Sequence, residues 1–153
     1  MKALELKVPP VVVAAICAGL SWGLARALPA LIVALPLRRT LAVAFVVLGV
    51  GVALSGVLAF RRSRTTVDPT RPEKASSLVT SGVYRVTRNP MYLGIALALV
   101  GWAVWLAHTL GLIGVVVFVA YLTRFQIMPE ERALRRLFGE EFDGYVRHVR
   151  RWV

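Results

Sequence analysis

Cysteine, histidine and acidic residues are scarce in this chain. Cys17 is the only cysteine among 153 residues, which excludes an intrachain disulfide and a cysteine-based metal cluster. The sequence contains no G-x-G-x-x-G segment, no P-loop and no H-E-x-x-H pair, so these nucleotide-binding and zinc-protease motifs are excluded. His108 stands alone in a short turn, and we interpret it as an interfacial residue rather than a haem or metal ligand. No metal site is predicted.

Positive charge and apolar residues are abundant instead. The chain has 19 lysines and arginines against 8 acidic residues, and 58% of it is hydrophobic. A soluble protein of this size cannot bury so much apolar surface, and the apolar residues form long runs with the charges between them. We therefore predict an all-α integral membrane protein with a single domain. The charges that flank the runs indicate anionic lipid headgroups rather than nucleic acid as their partners.

Four apolar runs are long enough to predict transmembrane helices. They cover approximately residues 9–28, 41–60, 89–106 and 110–126. Residues 1–60 thus hold two N-terminal spans, and residues 89–127 form an antiparallel helical hairpin, because the link between its halves is short. The second run contains small residues that allow another helix to approach closely, namely Gly49, Gly51, Ala53, Ser55 and Gly56.

Two polar segments complete the chain. Residues 61–88 form a loop that is longer than is needed merely to connect two helices in so small a protein. Residues 128–153 form a tail of short amphipathic helices, predicted to lie along the membrane surface or over the bundle. Pro129 suits a first helical turn, in which Glu130 and Glu131 complement the helix dipole, and Gly139 predicts the end of that helix.

The distribution of positive charge predicts the orientation. Sixteen of the 19 lysines and arginines lie in the N-terminal segment, the 61–88 loop and the segment from Arg124 onward, whereas Arg26, Arg38 and Arg39 lie on the other side. By the positive-inside tendency, the first group faces the cytoplasm. We therefore expect a multi-pass protein of the inner cell membrane, with both termini cytoplasmic. The sequence indicates no oligomeric state.

The most informative stretch runs from residue 78 to residue 94. Asn89 is a good N-cap and Pro90 suits the first helical position, with Arg85 and Arg88 shortly before them. Such a helix start can hold an anionic group, for example a ligand carboxylate. The alternative is a well-capped membrane helix with positive flanking residues.

The predicted hairpin brings its two cytoplasmic ends together. Residues 84–92 then face residues 126–131, so helix amides, arginines and tyrosines on one side oppose carboxylates on the other. A ligand with both a carboxylate and a cationic centre would find partners for both charges.

Two segments of the chain, residues 78–94 and the region that begins at Pro129, together resemble the isoprenylcysteine carboxyl methyltransferase superfamily. This superfamily also includes phospholipid N-methyltransferases and small bacterial-type membrane members. The similarity covers roughly residues 76–151. The residues that carry it are 78–94, Pro129, Glu130, Glu131, Leu134, residues 138–142, Tyr145, Val149 and Arg150. The resemblance implies a membrane enzyme that transfers a methyl group from S-adenosylmethionine to a lipid-like or amphiphilic acceptor, with a carboxylate or amine head.

The resemblance also implies site residues. Cofactor contacts fall on Ser76, Ser77, Leu78, Val79, Tyr84, Asn89, Pro90, Met91, Tyr92 and Glu130. The family's Arg-His-Pro-x-Tyr motif has Asn89 in place of its histidine. An arginine that faces the acceptor in the prenylcysteine enzymes is replaced by Gln126, with Arg124 nearby, so these two are the candidate acceptor-binding residues. The catalytic candidates are Glu130, Tyr92 and Gln126. The sequence does not indicate which of them, if any, acts as a general base.

Two other functions are compatible with the sequence. One is a non-catalytic membrane protein that binds a lipid or a partner on the same scaffold, an interpretation favoured by Asn89 and Gln126. The other is a nicotinamide-dependent membrane reductase, although such enzymes are generally much longer. Glu130 and Glu131 also have a purely structural interpretation, as acids that pair with nearby arginines at a helix start.

Overall fold

The computed structural model describes residues 5–63 and 77–153, and their regular structure is helical. Five α-helices are present: α1 Pro10–Ala27, α2 Arg38–Arg62, α3 Pro90–Leu106, α4 Ile113–Leu122 and α5 Met128–His148. Two short 3-10 helices, Pro29–Leu31 and Gly82–Arg85, lie in the connections, and a π-helical turn, Thr123–Ile127, joins α4 to α5. The described residues form no β-strand beyond one isolated bridge between Ile32 and His108. The predicted all-α fold is confirmed.

The helices have the length and composition of a multi-pass membrane protein. α1, α2 and the continuous run Ile113–His148 are each long and apolar enough to cross a membrane, and α3 is a shorter apolar helix of 17 residues. The apolar part of the last run ends at Ile127, and the polar helix α5 follows it. Residues exposed on α2, such as Val43, Val47 and Leu48, form an apolar surface suited to lipid.

Small residues bring α2 and α3 into close contact. A Cβ atom added to Gly49 would collide with the carbonyl oxygen of Gly94, and one added to Gly101 would lie 2.8 Å from the carbonyl oxygen of Ala42. Gly56 faces Pro90, whose Cγ would lie 3.0 Å from an added Cβ. The predicted packing role is confirmed for Gly49 and Gly56. It is wrong for Gly51, which has open space around it.

The main core lies between α1, α3 and α4. Its buried members are Val13, Cys17, Tyr92, Ala96, Leu99, Phe118, Leu122 and Ile127. Ser21 of α1 donates a hydrogen bond to the carbonyl oxygen of Gly111, 3.1 Å away, before α4. The core thus extends from the turn before α4 to Tyr92, which belongs to the candidate site.

The two ends of the bundle are closed by different segments. At one end, the link after α1 pairs with the turn between α3 and α4, since the amide of Val33 donates to the carbonyl oxygen of Ala107 at 2.8 Å. His108 is buried there and its Nε2 lies 3.1 Å from the carbonyl oxygen of Leu28. These contacts bury His108 within the protein, and its predicted position at the membrane interface stays a prediction. At the other end, Glu5 forms ion pairs with Arg124 and Arg132.

Pro129 lies in the first turn of α5 together with Glu130 and Glu131, as predicted, but this turn continues directly from α4 through the π turn. Proline has no amide hydrogen to donate to the carbonyl oxygen of Phe125 four residues earlier. That oxygen instead accepts a hydrogen bond from the amide of Leu6 at 3.0 Å, which attaches the N-terminal segment. Glu130 and Glu131 therefore do not lie at a free helix start. The predicted break at Gly139 is confirmed by its non-helical backbone, with φ of 50°.

Candidate active site

A cluster of three side chains joins α3 to the last helical run. One carboxylate oxygen of Glu130, Oε1, accepts a hydrogen bond from the hydroxyl of Tyr92 at 2.5 Å and another from Nε2 of Gln126 at 2.7 Å. Tyr92 lies in the first turn of α3, Gln126 in the π turn and Glu130 in the first turn of α5. The structure thus brings together the three residues that the sequence analysis named as catalytic candidates.

The helical geometry explains how Gln126 reaches Glu130. The two residues are four apart, which places them on the same side of a helix, and the π turn shifts the register at this point. Gln126 is buried, as is Tyr92. The cluster therefore lies where the apolar part of the helical run ends and its polar part begins.

The hydrogen-bond partners of Glu130 are neutral. Burial raises the pKa of Glu130 to about 7, while its hydrogen bonds from Tyr92 and Gln126 favour the ionised form. No ion pair within residues 5–63 and 77–153 includes Glu130. Such a carboxylate suits a cationic ligand group or a proton transfer near neutral pH.

Glu131, the next residue, has the opposite surroundings. Its carboxylate pairs with Nη2 of Arg88 at 3.1 Å and with Nε and Nη2 of Arg151 at 2.9 and 2.7 Å. Among the described residues, the interpretation of the two acids as partners of nearby arginines therefore holds for Glu131 and not for Glu130.

The side chain of Arg88 is largely but not fully buried, and it is only partly paired. Its side chain is 10% exposed, and its Nε and Nη1 atoms have no hydrogen-bond partner among the described residues. Burial lowers the pKa of Arg88, whereas Glu131 opposes this effect. Buried guanidinium nitrogens without partners are costly, so they indicate a place for an anionic group.

Asn89 occupies the N-cap position of α3, but its predicted capping hydrogen bond is wrong. Its Nδ2 donates to the carbonyl oxygen of Arg151 at 2.8 Å, and its own amide donates to the hydroxyl of Thr87 at 3.2 Å. Pro90 is the first helical residue, as predicted. The side chain of Asn89 thus attaches the C-terminal residues to the start of α3.

This attachment involves residues that sequence reasoning missed. The amide of Arg88 donates to the carbonyl oxygen of Arg150 at 3.0 Å, and the indole of Trp152 donates to the hydroxyl of Thr123 at 3.1 Å. Arg151 and Trp152 lie outside the motifs that the sequence analysis named. The sequence signal for this attachment was the cluster of basic residues near residue 150. The sequence analysis interpreted these residues as partners of anionic lipid headgroups.

Residues 37–141, more than half of the chain, match the sequence model of the family described as phospholipid methyltransferase. The chain belongs to the phospholipid methyltransferase family. The match includes Tyr92, Gln126 and Glu130, so the whole cluster lies within the family domain. α1 and Arg151 lie outside it.

Curated relatives agree with this family assignment. An uncharacterized protein of Haemophilus influenzae is 41% identical over 63 residues, which are 41% of this chain and all of that protein. Protein-S-isoprenylcysteine O-methyltransferase B of Arabidopsis thaliana is 31% identical over 104 residues, or 68% of this chain and 53% of the relative. A probable protein-S-isoprenylcysteine O-methyltransferase of Oryza sativa subsp. indica is 36% identical over 107 residues, or 68% of this chain and 54% of the relative.

The chain thus spans about half the length of these two plant methyltransferases. No solved structure matches it. The resemblance noted from the sequence is confirmed at the level of the phospholipid methyltransferase family, whose members are methyltransferases with a methyl donor.

The segment before the family motif packs on the end of α2. Val79 and Tyr84 form a small core with Ala59, and the rings of Tyr84 and Phe60 are 5.4 Å apart. The carbonyl oxygen of Tyr84 accepts a hydrogen bond from Tyr145 at 2.7 Å. Burial raises the pKa of Tyr84, and the neighbouring Tyr145 and then the Glu130 carboxylate raise it further.

The other predicted contact residues have different surroundings. The hydroxyl of Ser77 donates to the carbonyl oxygen of Ser63 at 3.3 Å, and Leu78 and Met91 are half-buried. Ser76 lies outside the described residues. Arg124 forms its ion pair with Glu5 at 3.4 Å, so this contact does not join the Glu130 cluster. Within the described part of the chain, no group of His, Cys, Asp or Glu residues can hold a metal ion.

Proposed function

We propose that this protein is an S-adenosylmethionine-dependent methyltransferase that acts on a lipid-like or amphiphilic acceptor with a carboxylate or amine head. The observation that carries this proposal is the hydrogen-bonded cluster of Tyr92, Gln126 and Glu130 within the phospholipid methyltransferase domain. The plant relatives with isoprenylcysteine O-methyltransferase names support it.

The residues present fit the charges of the proposed cofactor. The buried Nε and Nη1 atoms of Arg88 suit its carboxylate, and the carboxylate of Glu130, which lacks a cationic partner among the described residues, suits its cationic part. Ser76 to Val79, Tyr84, Asn89, Pro90, Met91 and Tyr92 are the further candidate contacts. When bound, S-adenosylmethionine supplies an activated methyl group on a sulfonium sulfur.

The residues of the chain mainly align and protect the reacting groups. Tyr92 and Gln126 hold the Glu130 carboxylate in one orientation, and the buried surroundings exclude water from it. With an amine acceptor, the ionised Glu130 carboxylate accepts the proton that the amine must lose. A carboxylate acceptor requires no base, and Glu130 then acts only through charge. Gln126 and Arg124 are the proposed acceptor-side residues.

An acceptor that stays in the bilayer is favoured by its hydrophobic part. Removing an acyl or prenyl chain from the membrane costs about 0.8 kcal/mol per CH₂ group, so the polar head is expected to reach the site while the chain remains in lipid. The Glu130 cluster lies at the end of the apolar helices, which suits this arrangement.

The proposed location of the site is the cytoplasmic face of the inner cell membrane. The N-terminal segment, the motif of α3 and the tail meet at one end of the bundle, and these segments carry most of the positive charge. A reporter fused after Arg151 is expected to signal cytoplasm, and a periplasmic signal would contradict this orientation.

The transfer itself is tested with methyl-labelled S-adenosylmethionine, purified protein and total membrane lipid. Label is expected in the organic phase, and Glu130→Gln is expected to abolish it, whereas Glu141→Gln, an exposed acid of the same helix, retains it. Label found only in water-soluble products would contradict a membrane acceptor. Cofactor binding without any transfer would favour the non-catalytic alternative, and binding of a reduced nicotinamide would favour the reductase.

A further inference from the structure

A cavity of about 430 Å³ lies at the end of the bundle opposite the Glu130 cluster. It is lined by the ends of α1 and α3, the start of α2 and the link between α1 and α2. Its principal lining residues are Trp22, Arg26, Ile32, Arg38, Trp102 and Trp105. Next to the lining residue Ile32, the amide of Val33 donates to the carbonyl oxygen of Ala107, and the amide of Thr109 donates to that of Leu31.

The arginines of this cavity have no carboxylate partner among the described residues. None of the ion pairs in residues 5–63 and 77–153 includes Arg26 or Arg38. The described carboxylates belong to the N-terminal segment and α5, whose contacts lie at the other end of the bundle. Two guanidinium groups therefore line one cavity without an opposite charge.

The remaining walls of the cavity are amphipathic. Arg26 lies over the ring of Trp22, 5.4 Å from its centroid, and the indole of Trp102 donates to the carbonyl oxygen of Ala18 at 3.0 Å. Trp22 and Trp105 are half-exposed at 49% and 46%. Tryptophan is favoured at the level of lipid headgroups, where one part of the ring is apolar and the other is wet.

We propose that this cavity binds the headgroup of an anionic phospholipid, in the leaflet opposite the leaflet that contains the Glu130 cluster. Arg26 and Arg38 pair with the phosphate oxygens, since a planar guanidinium matches phosphate geometry. The tryptophans pack on the glycerol region. The proposal depends on the membrane-spanning fold and not on methyl transfer.

Tryptophan fluorescence tests this directly. The chain has four tryptophans, and three of them line the cavity. Replacing the fourth, Trp152→Phe, leaves a signal from the cavity alone. In mixed micelles, brominated phosphatidylglycerol is expected to quench this signal at about tenfold lower concentration than brominated phosphatidylcholine, because two arginines attract the net negative head.

The arginine variants separate a site from general attraction. Arg26→Gln with Arg38→Gln is expected to remove the tenfold preference, and the two lysine replacements are expected to retain part of it. Arg39→Gln changes the same charge one residue from Arg38, outside the cavity lining, and is expected to keep the preference.

Three results would overturn the proposal. Equal quenching by both lipids would show an ordinary lipid boundary, and an equal loss in Arg39→Gln would show non-specific attraction. Reversal of the quenching by inorganic phosphate would show a site for a free anion. If the double variant does not fold, the comparison of the two lipids on the protein with Arg26 and Arg38 intact still decides between a site and a boundary.

Discussion

Glu130 and Glu131 are neighbours in the chain, yet they lie in opposite electrostatic environments. Glu131 is paired with two arginines, one from the α3 motif and one from the end of the chain. Glu130 has neutral partners and a pKa raised to about 7 by burial. The comparison shows that one acid joins separate segments of the chain, and it supports the proposal that the other serves chemistry or a cationic ligand.

The largest effect on the free energy of unfolding is expected for Glu131, the acid that has ionic partners. Glu131→Gln leaves the largely buried Arg88 and the half-buried Arg151 without their shared counter-charge, and removing one partner of a buried pair costs about 3–5 kcal/mol. The measurement is the free energy of unfolding of the purified protein in detergent. Glu140→Gln, an exposed acid on the same helix, serves as the control. A loss no larger than that of the control would mean that the two acids do not differ structurally.

The next effect concerns the pH dependence of stability. The folded-state pKa of Glu130 is raised from 4.5 to about 7, so the folded protein holds a proton that the unfolded chain releases between these pH values. The contribution of Glu130 to stability is therefore fully present below pH 4.5 and decreases as the pH rises through 7. A shift of this size corresponds to about 3 kcal/mol.

Glu130→Gln tests that contribution, because glutamine keeps the shape and cannot titrate. The difference in unfolding free energy between the variant and the native chain is expected to change by this amount across the window, in favour of the variant at high pH. Parallel pH curves for the two proteins would show that Glu130 titrates normally and would remove the contrast with Glu131.

A smaller effect is expected on the binding of S-adenosylmethionine. Glu130→Gln removes a charge-assisted contact of about 1.5–3 kcal/mol, which corresponds to a tenfold or greater loss of affinity. In the native chain, affinity is expected to increase with pH up to about 7, as Glu130 ionises, and then to level off. The variant is expected to show no such dependence. Equilibrium binding at several pH values measures both, and unchanged affinity would return Glu130 to a structural role.

The smallest effect is expected for Tyr92→Phe. This change removes the hydroxyl that donates to Glu130 but keeps the buried ring, and a hydrogen bond to a charged group contributes about 1.5 kcal/mol at the low end. The pKa of Glu130 is expected to rise further, because its ionised form loses a donor. The pH midpoint of cofactor binding checks this, and a midpoint that moves downward would contradict the proposed role of Tyr92.

Much of the fold was predictable because long hydrophobic runs directly indicate membrane-spanning helices. The starts of α1 and α3 at their prolines, the close packing at Gly49 and Gly56 and the break at Gly139 all follow from local chain properties. What the sequence did not predict is that α5 continues directly from α4 at Pro129. Its missing amide is tolerated inside the helical run, since the carbonyl oxygen of Phe125 has another donor in Leu6.

The sequence alone determined that this is an all-α membrane protein, because its composition and long hydrophobic runs indicate membrane-spanning helices. The choice of Tyr92, Gln126 and Glu130 as candidate residues came from the resemblance to the methyltransferase family. Only the tertiary structure decided that Glu130 remains without an ionic partner among the described residues while Glu131 is paired, and that Asn89 contacts Arg151 rather than capping α3. The physical reason is that charge pairing depends on distances between segments, here between residues 88 and 131 and between residues 131 and 151, and these distances exist only after the helices have packed.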